Sequence, residues 1–503
     1  MLPSSPSPLS RNPAPLAAGL LLLLTAVGAC ILGWVVAEHP ELGHLENPFT
    51  WANAAALVLA FAFCAALLAR PGLGLVLLAL FVYLNLSQVL VREHGLPSLL
   101  QLLVVPIALA AFRGKGAQRF RGLPRLPLFL LLAAYSVVLL ISSLAAWDRD
   151  LADDRIAESV KAWVIFALIA VLAATPRRLR QGAWTIVAAG ALLGGLGAFQ
   201  ALTGDYERQF WGFARIKDAH IWGDVFEKRI AGPLGDPNFF AQILIVLVPI
   251  GLTLAVESKG LRGKVLALGA TAFILGGAVL TYSRGGALAL GCVLLLFMAS
   301  HRVRPRHVGL GVLVLALLVL VSPPEFVRRL GTIGEILPGG EEVVDPDSSF
   351  AERKLYALAA WAMFLDYPVL GVGAGNYTVH FDRYADQVGF SARDYEQPGE
   401  VHFPHNLYLE IAAETGLLGL SLFAGVIAAA FLGLRRARAV LLARGDTATA
   451  DFARAFEIAL VGYLVSSVFL HGHFLRYLWL LFGFAAALRL MARELIAREE
   501  KAP

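Results

Sequence analysis

The sequence predicts an all-α polytopic membrane protein, and three observations carry that reading. Hydrophobic residues make up 58% of the 503 residues against 16% charged, with a mean hydropathy of +0.69, too apolar for a water-soluble chain. Apolar runs close to the length that crosses a bilayer recur about fourteen times. The basic residues sit in short clusters between those runs, so the net charge of +5 and the pI near 9.1 reflect membrane topology and not a nucleic-acid surface. Cys30, Cys64 and Cys292 all fall inside apolar runs, which leaves neither a disulfide framework nor a cysteine metal site.

In chain order, a Pro/Ser-rich leader runs to Pro15 with the single basic residue Arg11. The following run, Leu16 to Val36, is long for a signal peptide. Val27-Gly-Ala-Cys30 has a faint likeness to a lipoprotein cleavage site, but apolar sequence continues past the cysteine, so an uncleaved span is expected. The predicted spans are 16–37, 51–69, 72–91, 97–112, 126–147, 159–174, 182–203, 237–256, 264–282, 285–300, 307–322, 405–434, 452–470 and 474–490. Alternate connections carry Arg70, then Arg113 to Arg125, Arg177 to Arg180, Lys259 to Lys264, Arg302 to Arg306, Arg435 to Arg444 and the tail from Arg489. These connections are expected in the cytoplasm with both termini. The opposite face holds 38–50, the acidic segment 148–158, the segment 204–236 and a large loop at 323–403 between the eleventh and twelfth spans. The chain thus reads as one membrane domain over 1–503 that contains this loop.

Within the loop, Pro338 to Ser349 is acidic and Gly/Pro-rich and reads as mobile, whereas Leu355, Ala359, Ala362 and Met363 have helical spacing. Pro368-Val-Leu-Gly-Val-Gly-Ala-Gly-Asn-Tyr377 reads as a glycine-rich turn shaping a surface over the membrane. Its G-x-G-x-G pattern is no dinucleotide site, because no strand precedes it.

Three motifs carry side chains suited to chemistry, and all fall on the exterior face. In Arg229-Ile-Ala-Gly-Pro-Leu-Gly-Asp-Pro-Asn-Phe-Phe-Ala241, Asp236 is a good N-cap and Pro237 suits the first helical position, so a span begins at Asn238. A helix start beside an arginine is a natural phosphate site, and Arg229 reads otherwise as an interfacial anchor. In Tyr282-Ser-Arg-Gly-Gly286, Arg284 sits in a tight turn whose glycines permit close approach of a backbone or ligand, again with an interfacial anchor as the bland alternative. In Pro404-His-Asn-Leu-Tyr-Leu-Glu410, His405 is expected in the first helical turn, where the positive helix end keeps its pKa at or below about 6.5 and the imidazole neutral. The helix 405–434, around 45 Å long, is expected to project past the hydrocarbon core or tilt. It places Glu410 and Glu414 on one face, where Glu414 reads as an outer partner of the site or as an interfacial polar residue.

These motifs, with Tyr367-Pro-Val-Leu-Gly-Val-Gly-Ala-Gly-Asn-Tyr377 and His405-Asn-Leu-Tyr-Leu-Glu-Ile-Ala-Ala-Glu-Thr-Gly-Leu-Leu-Gly419, occur in the order found in the O-antigen ligase and polymerase superfamily, which the chain resembles over about 230–420. The resemblance implies a bacterial inner-membrane glycosyltransferase that takes a glycan from undecaprenyl diphosphate at the periplasmic face. As ligase it would join O-antigen to lipid A-core. As polymerase for O-antigen or exopolysaccharide it would use a lipid-linked glycan acceptor. Transfer to protein ranks behind both, and a lipid-linked glycan flippase is the rival from another class. Carried over by position, Arg229, Arg284 and His405 are the catalytic residues. Arg353, Asp236, Asn238, Tyr282, Asn406 and Glu414 are expected to contact substrate. The chain departs from the family in its count of about fourteen spans where ligases have about twelve.

The residue types suit that chemistry. Arginines hold the departing diphosphate, a neutral histidine accepts the acceptor's hydroxyl proton, and direct displacement inverts the anomeric centre. No nucleotide or redox cofactor is needed. Asp345-Pro-Asp347 and the acidic run Asp148 to Asp154 leave a divalent ion open as an alternative, while His39, His44, His471 and His473 read as ordinary loop residues.

Overall fold

The computed structural model describes residues 62–222, 225–301, 348–388, 401–472 and 475–500, with the backbone alone at 218–222, 225–227, 301 and 348–351. The expected spans 16–37 and 307–322, residues 51–61 of the expected span 51–69, the acidic segment 338–347, His39, His44 and His473 lie outside the described residues.

The described chain is predominantly helical. Helices α1 (Ala62–Ala69), α2 (Pro71–Tyr83), α3 (Leu86–His94) and α4 (Leu99–Ala111) are followed by α5 (Gly116–Gly122), α6 (Pro127–Leu144), α7 (Arg149–Leu172) and α8 (Pro176–Thr203). A hairpin of β1 (Arg215–Trp222) and β2 (Val225–Gly232) comes next. Then come α9 (Pro237–Ile245), α10 (Val248–Val256), α11 (Leu261–Val279), α12 (Arg284–His301), α13 (Ser348–Asp366), α14 (Tyr377–Gln387), α15 (Leu407–Ala443), α16 (Thr447–Ser466) and α17 (Arg476–Glu499).

Among the described residues, five helical stretches are long and apolar enough to cross a membrane, or up to seven if each of two sharply bent pairs is one span. They are α6, α8, the pair α9 and α10, α11 and α15. Helices α7, α16 and α17, of 24, 20 and 24 residues, have comparable length but carry more ionisable side chains. The expected span 237–256 is interrupted after Ile245, because Pro249 lacks an N–H and its ring crowds the Ile245 carbonyl. Within 72–91 the helix breaks at Asn85, which takes a left-handed φ of 52°.

The all-α expectation needs one correction. Segment 204–236 holds an antiparallel hairpin in which Lys217 pairs with Arg229 and Ile216 with Ile230. Gly223-Asp224, flanked by Ile221, Trp222, Val225 and Phe226, is a hairpin signal that the apolar-run count does not register. The acidic segment 148–158 is likewise no loop. Asp148 caps the Leu151 N–H at 3.1 Å, and its neighbours form the first turns of α7.

Polar contacts between connections sort them into two ends of the bundle. At one end Arg119 pairs with Glu494 at 2.6 Å, Arg180 donates to the Glu257 carbonyl, and Arg493 to the Arg125 carbonyl. At the other, Arg92 and Asn85 both donate to the Pro233 carbonyl, and Asn376 exchanges hydrogen bonds with the Asp148 backbone at 2.7 and 2.9 Å. Between the ends a continuous core joins α2, α7, α8, α9, α16 and α17.

The long helix expected at 405–434 runs from Leu407 to Ala443 and is broken at Gly416, whose φ of 64° and ψ of −164° are open essentially only to glycine. The glycine-rich stretch 368–376 is threaded through that break instead of covering a surface. Val372 and Gly373 donate to the Ala413 and Glu414 carbonyls at 2.9 and 3.1 Å, and Leu417 donates to the Pro368 carbonyl at 2.8 Å. Backbone lies on backbone here, so a Cβ on Gly371 or Gly416 would collide with main-chain atoms of the opposite segment. The junction clamps α13 and α14 to α15 through a satellite core of Leu355, Tyr356, Met363, Tyr377, Phe381 and Ala413.

Gly416→Ala is therefore expected to lower stability by at least about 1–3 kcal/mol from backbone strain alone. Gly433→Ala, where an added Cβ has nothing within 4 Å, should be neutral or mildly stabilising. Thermal unfolding in detergent reads both, and an unchanged midpoint for Gly416→Ala would contradict the junction.

Candidate functional site

Helix starts and ends supply the site, and each has its exposed backbone groups tied down. Asp236 caps α9 by accepting from the Asn238 and Phe239 N–H groups at 2.8 and 3.1 Å, with Pro237 in the first turn. Its carboxyl is raised by burial, but Lys217 at 3.6 Å, the two amides and Arg229 outweigh burial and hold it below its ordinary value. Asp236 is ionised and already committed at the helix start.

Arg229 lies on β2 and is only 8% exposed. Its Nε and Nη2 donate to the Thr281 carbonyl at 2.9 and 2.7 Å, and Nη2 also reaches Asn238 Oδ1 at 3.4 Å. That same Asn238 oxygen accepts from Ser283 Oγ at 2.8 Å, and Ser283 Oγ accepts from the Gly286 N–H at 3.2 Å. Arg229 and Asn238 thus hold the turn between α11 and α12 in which Tyr282, buried, takes a left-handed φ of 52°. Arg284 is the first residue of α12 and not part of the turn itself.

His405 lies two residues ahead of α15, not in its first turn, because Asn406 is the better cap: its Oδ1 accepts from the Tyr408 and Leu409 N–H groups, both at 3.0 Å. His405 itself has a φ of 45°. The segment is fastened to the chain following α16. Asn406 Nδ2 donates to the Val468 carbonyl, the Leu407 N–H to the Ser467 carbonyl, and the Gly472 N–H to Glu410 at 2.6 Å. His471, expected to be an ordinary loop residue, lies edge-on to the His405 ring with centroids 5.2 Å apart, stacks on Phe403, and meets Phe239 of the α9 start. Tyr356 of α13 lies against the other side of His405 at 5.7 Å and is hydrogen-bonded to His402.

The His405 imidazole is neutral for a reason other than the expected helix dipole. Burial, then His471, then Arg353 push its pKa down to about 3. Its Nδ1 is buried with no hydrogen-bond partner among the described residues.

A pocket of about 230 Å³ joins these elements, lined by Arg284, Arg353, Lys354, His405 and Asn406, with Val468 and Phe469 on the α16 side. Of the expected site residues, Arg284, Arg353, His405 and Asn406 line it. Asp236 and Lys217 are close enough to act electrostatically on His405. Arg229, Asn238 and Tyr282 stand behind the Arg284 turn and do not line the pocket. Glu414, nine residues after His405, is buried in α15, where its main-chain carbonyl serves the glycine junction. Sequence reading missed His471 and Lys354. Lys354 follows Arg353 on a helix whose Ala357 lies one turn further along the same wall, a pattern visible in sequence, whereas His471 is recognisable only in space.

Arg229 is a positioning group in this geometry. Arg229→Ala removes two charge-assisted hydrogen bonds and leaves the Thr281 carbonyl without them, an expected loss of about 2–3 kcal/mol. Arg229→Lys should recover part of that, since an ammonium cannot make the two-donor contact. Thermal unfolding midpoints check this, and a midpoint for Arg229→Ala equal to the parent's would contradict it.

In comparisons with known proteins, residues 269–424 match the family model described as O-antigen ligase. The matched stretch contains Arg284, Arg353, His405 and the glycine junction, and leaves Arg229 upstream. No curated protein matches the chain. The ordered motifs and this independent match agree: over 269–424 the chain is similar to the O-antigen ligase superfamily.

Proposed function

We propose that the protein is an O-antigen ligase, a membrane glycosyltransferase that moves a glycan from undecaprenyl diphosphate to lipid A-core at the periplasmic face. The observation that carries this reading is the pocket in which Arg284, Arg353 and Lys354 face the half-buried, neutral His405. The family match supports a ligase-type or polymerase-type glycosyltransferase. A polymerase would differ in its acceptor, a second lipid-linked glycan.

In the proposed step the acceptor hydroxyl oxygen bonds to the anomeric carbon as the bond from that carbon to the diphosphate oxygen breaks. The electron pair leaves on the diphosphate and the hydroxyl proton passes to His405, so the products are the inverted glycoside and undecaprenyl diphosphate. Arg284 and Arg353 supply fixed donors where the leaving group gains charge, and Lys354 adds a cation at the rim. The reading needs no metal, because these side chains provide the positive charge. Without donor, His405 is a weak base. A bound diphosphate brings negative charge beside it and opposes Arg353, so its basicity rises when the donor is in place.

The flippase alternative requires a path through the bundle. The break in α15 does not provide one, since backbone from 368–376 fills it.

Purified protein with lipid-linked glycan and lipid A-core, assayed in chelator, tests the proposal. Arg284→Lys should retain little transfer, because a point ammonium cannot replace a planar two-donor contact. His405→Ala should bind donor yet transfer about two to four orders of magnitude more slowly. Normal transfer by His405→Ala removes it as the base. Lipid flipping by the parent without transfer to any acceptor removes the glycosyltransferase reading, and loss of activity in chelator restored by a divalent ion supports a metal instead.

The pH dependence has a definite sign. The lowered pKa keeps His405 unprotonated in the free enzyme throughout the neutral range, so kcat/KM should stay level from pH 8 to 5. The acidic limb of kcat, which reports the donor complex, should lie at higher pH than that of kcat/KM. A limb in kcat/KM at the ordinary histidine value would contradict the lowered pKa of His405.

A further inference from the structure

An apolar groove lies at the opposite end of the bundle from the pocket. Its volume is about 320 Å³, and it runs between the start of α6, the middle of α15 and the second half of α17. Its position is fixed by helix direction. Helix α6 runs from Pro127 in the groove to Ser142, whose hydroxyl lies 2.6 Å from the Leu370 and Glu414 carbonyls of the glycine junction. Along α15, Gly425 and Gly433 leave room, with Leu128 and Leu131 of α6 as the opposite wall. From Gly425 to Arg436 the groove follows the helix for about 17 Å at 1.5 Å per residue, much of the length of an extended acyl chain.

Arg436 and Arg489 close one end. The two guanidinium groups are near enough to repel each other, with Arg493 adding to the field at Arg489. Neighbouring arginines have partners: Arg435 and Arg454 share Glu457, Arg119 holds Glu494, and Arg444 holds Glu499. Arg436 and Arg489 form no hydrogen bond or ion pair with another described residue. An apolar trough ending in two like charges without a counter-charge matches a single molecule with a hydrocarbon tail and an anionic head.

We propose that this groove is a binding site for an anionic glycerophospholipid, its acyl chain along Gly425 to Gly433 and its phosphate between Arg436 and Arg489. The preference for a net negative lipid follows from the pair. A zwitterionic headgroup brings its own ammonium to the two arginines and loses most of the attraction. The site lies at the end of the bundle remote from the His405 pocket and does not depend on the proposed glycan transfer.

Native mass spectrometry tests it on the full-length protein released from micelles holding equal amounts of phosphatidylglycerol and phosphatidylethanolamine. The parent is expected to retain phosphatidylglycerol over phosphatidylethanolamine by on the order of tenfold. Replacing Arg436→Ala and Arg489→Ala together should abolish that preference while leaving some retention of both lipids. Gly433→Leu, which extends into open space and spares the fold, should reduce retention of both lipids by occupying the trough. Equal retention of the two lipids by the parent, a preference that survives the double substitution, or unchanged retention by Gly433→Leu would each overturn the proposal. The readout is lipid retention alone, so glycan transfer can fail or succeed without deciding it.

Discussion

The Arg229 guanidinium on the Thr281 carbonyl is the contact from which the rest of the site follows. Thr281 lies just past the end of α11, where a helix leaves carbonyls without intrahelical partners. Arg229 is a buried cation that needs acceptors. Each solves the other's problem, and the favourable placement of a cation at a helix C-terminus adds to the bond. Through Asn238 and Ser283 the same network reaches the start of α12, so the position of Arg284 is set by a strand more than fifty residues earlier. A site whose arginine must meet a charged leaving group within a fraction of an ångström benefits from this kind of support.

The opposite wall depends on glycine instead of charge. Helix α15 breaks at Gly416, and 368–376 takes up backbone groups freed there, with the Ala413 and Glu414 carbonyls accepting from it and the Leu417 N–H donating to it. Only residues without a Cβ permit such an approach at Gly371 and Gly416. Because this segment connects α13 to α14, the junction also determines where Arg353 and Lys354 stand relative to His405. The glycines therefore act on the pocket at a distance.

Much of this was legible in the sequence, and the gaps have physical causes. Helix starts with strong side-chain caps were readable, as with Asp236 and Pro237, because capping is local chemistry. The α15 start was displaced by two residues, since Asn406 competes with Pro404 for the role and wins through its side-chain acceptor. The hairpin was lost because its two strands lack a clean apolar–polar alternation, and a short turn such as Gly223-Asp224 is a weaker signal than apolar runs in a chain this hydrophobic. Ring packing of His471 against His405 and the role of Arg229 as support for Arg284 are long-range facts, and spacing along the chain carries neither. The glycine-rich motif was visible, but a glycine pattern records only that something approaches closely and not what approaches.

The two ends of the bundle now differ in chemistry: one gathers Arg284, Arg353 and Lys354 around a half-buried histidine, and the other places two arginines at the mouth of an apolar trough. Both invite phosphate, but only the first offers a base beside it. The most direct test is a structure of the full-length protein bound to undecaprenyl diphosphate. The account predicts the diphosphate between Arg284 and Arg353, within reach of His405, with Arg229 still on the Thr281 carbonyl. A diphosphate bound elsewhere, with the His405 pocket empty, would contradict it.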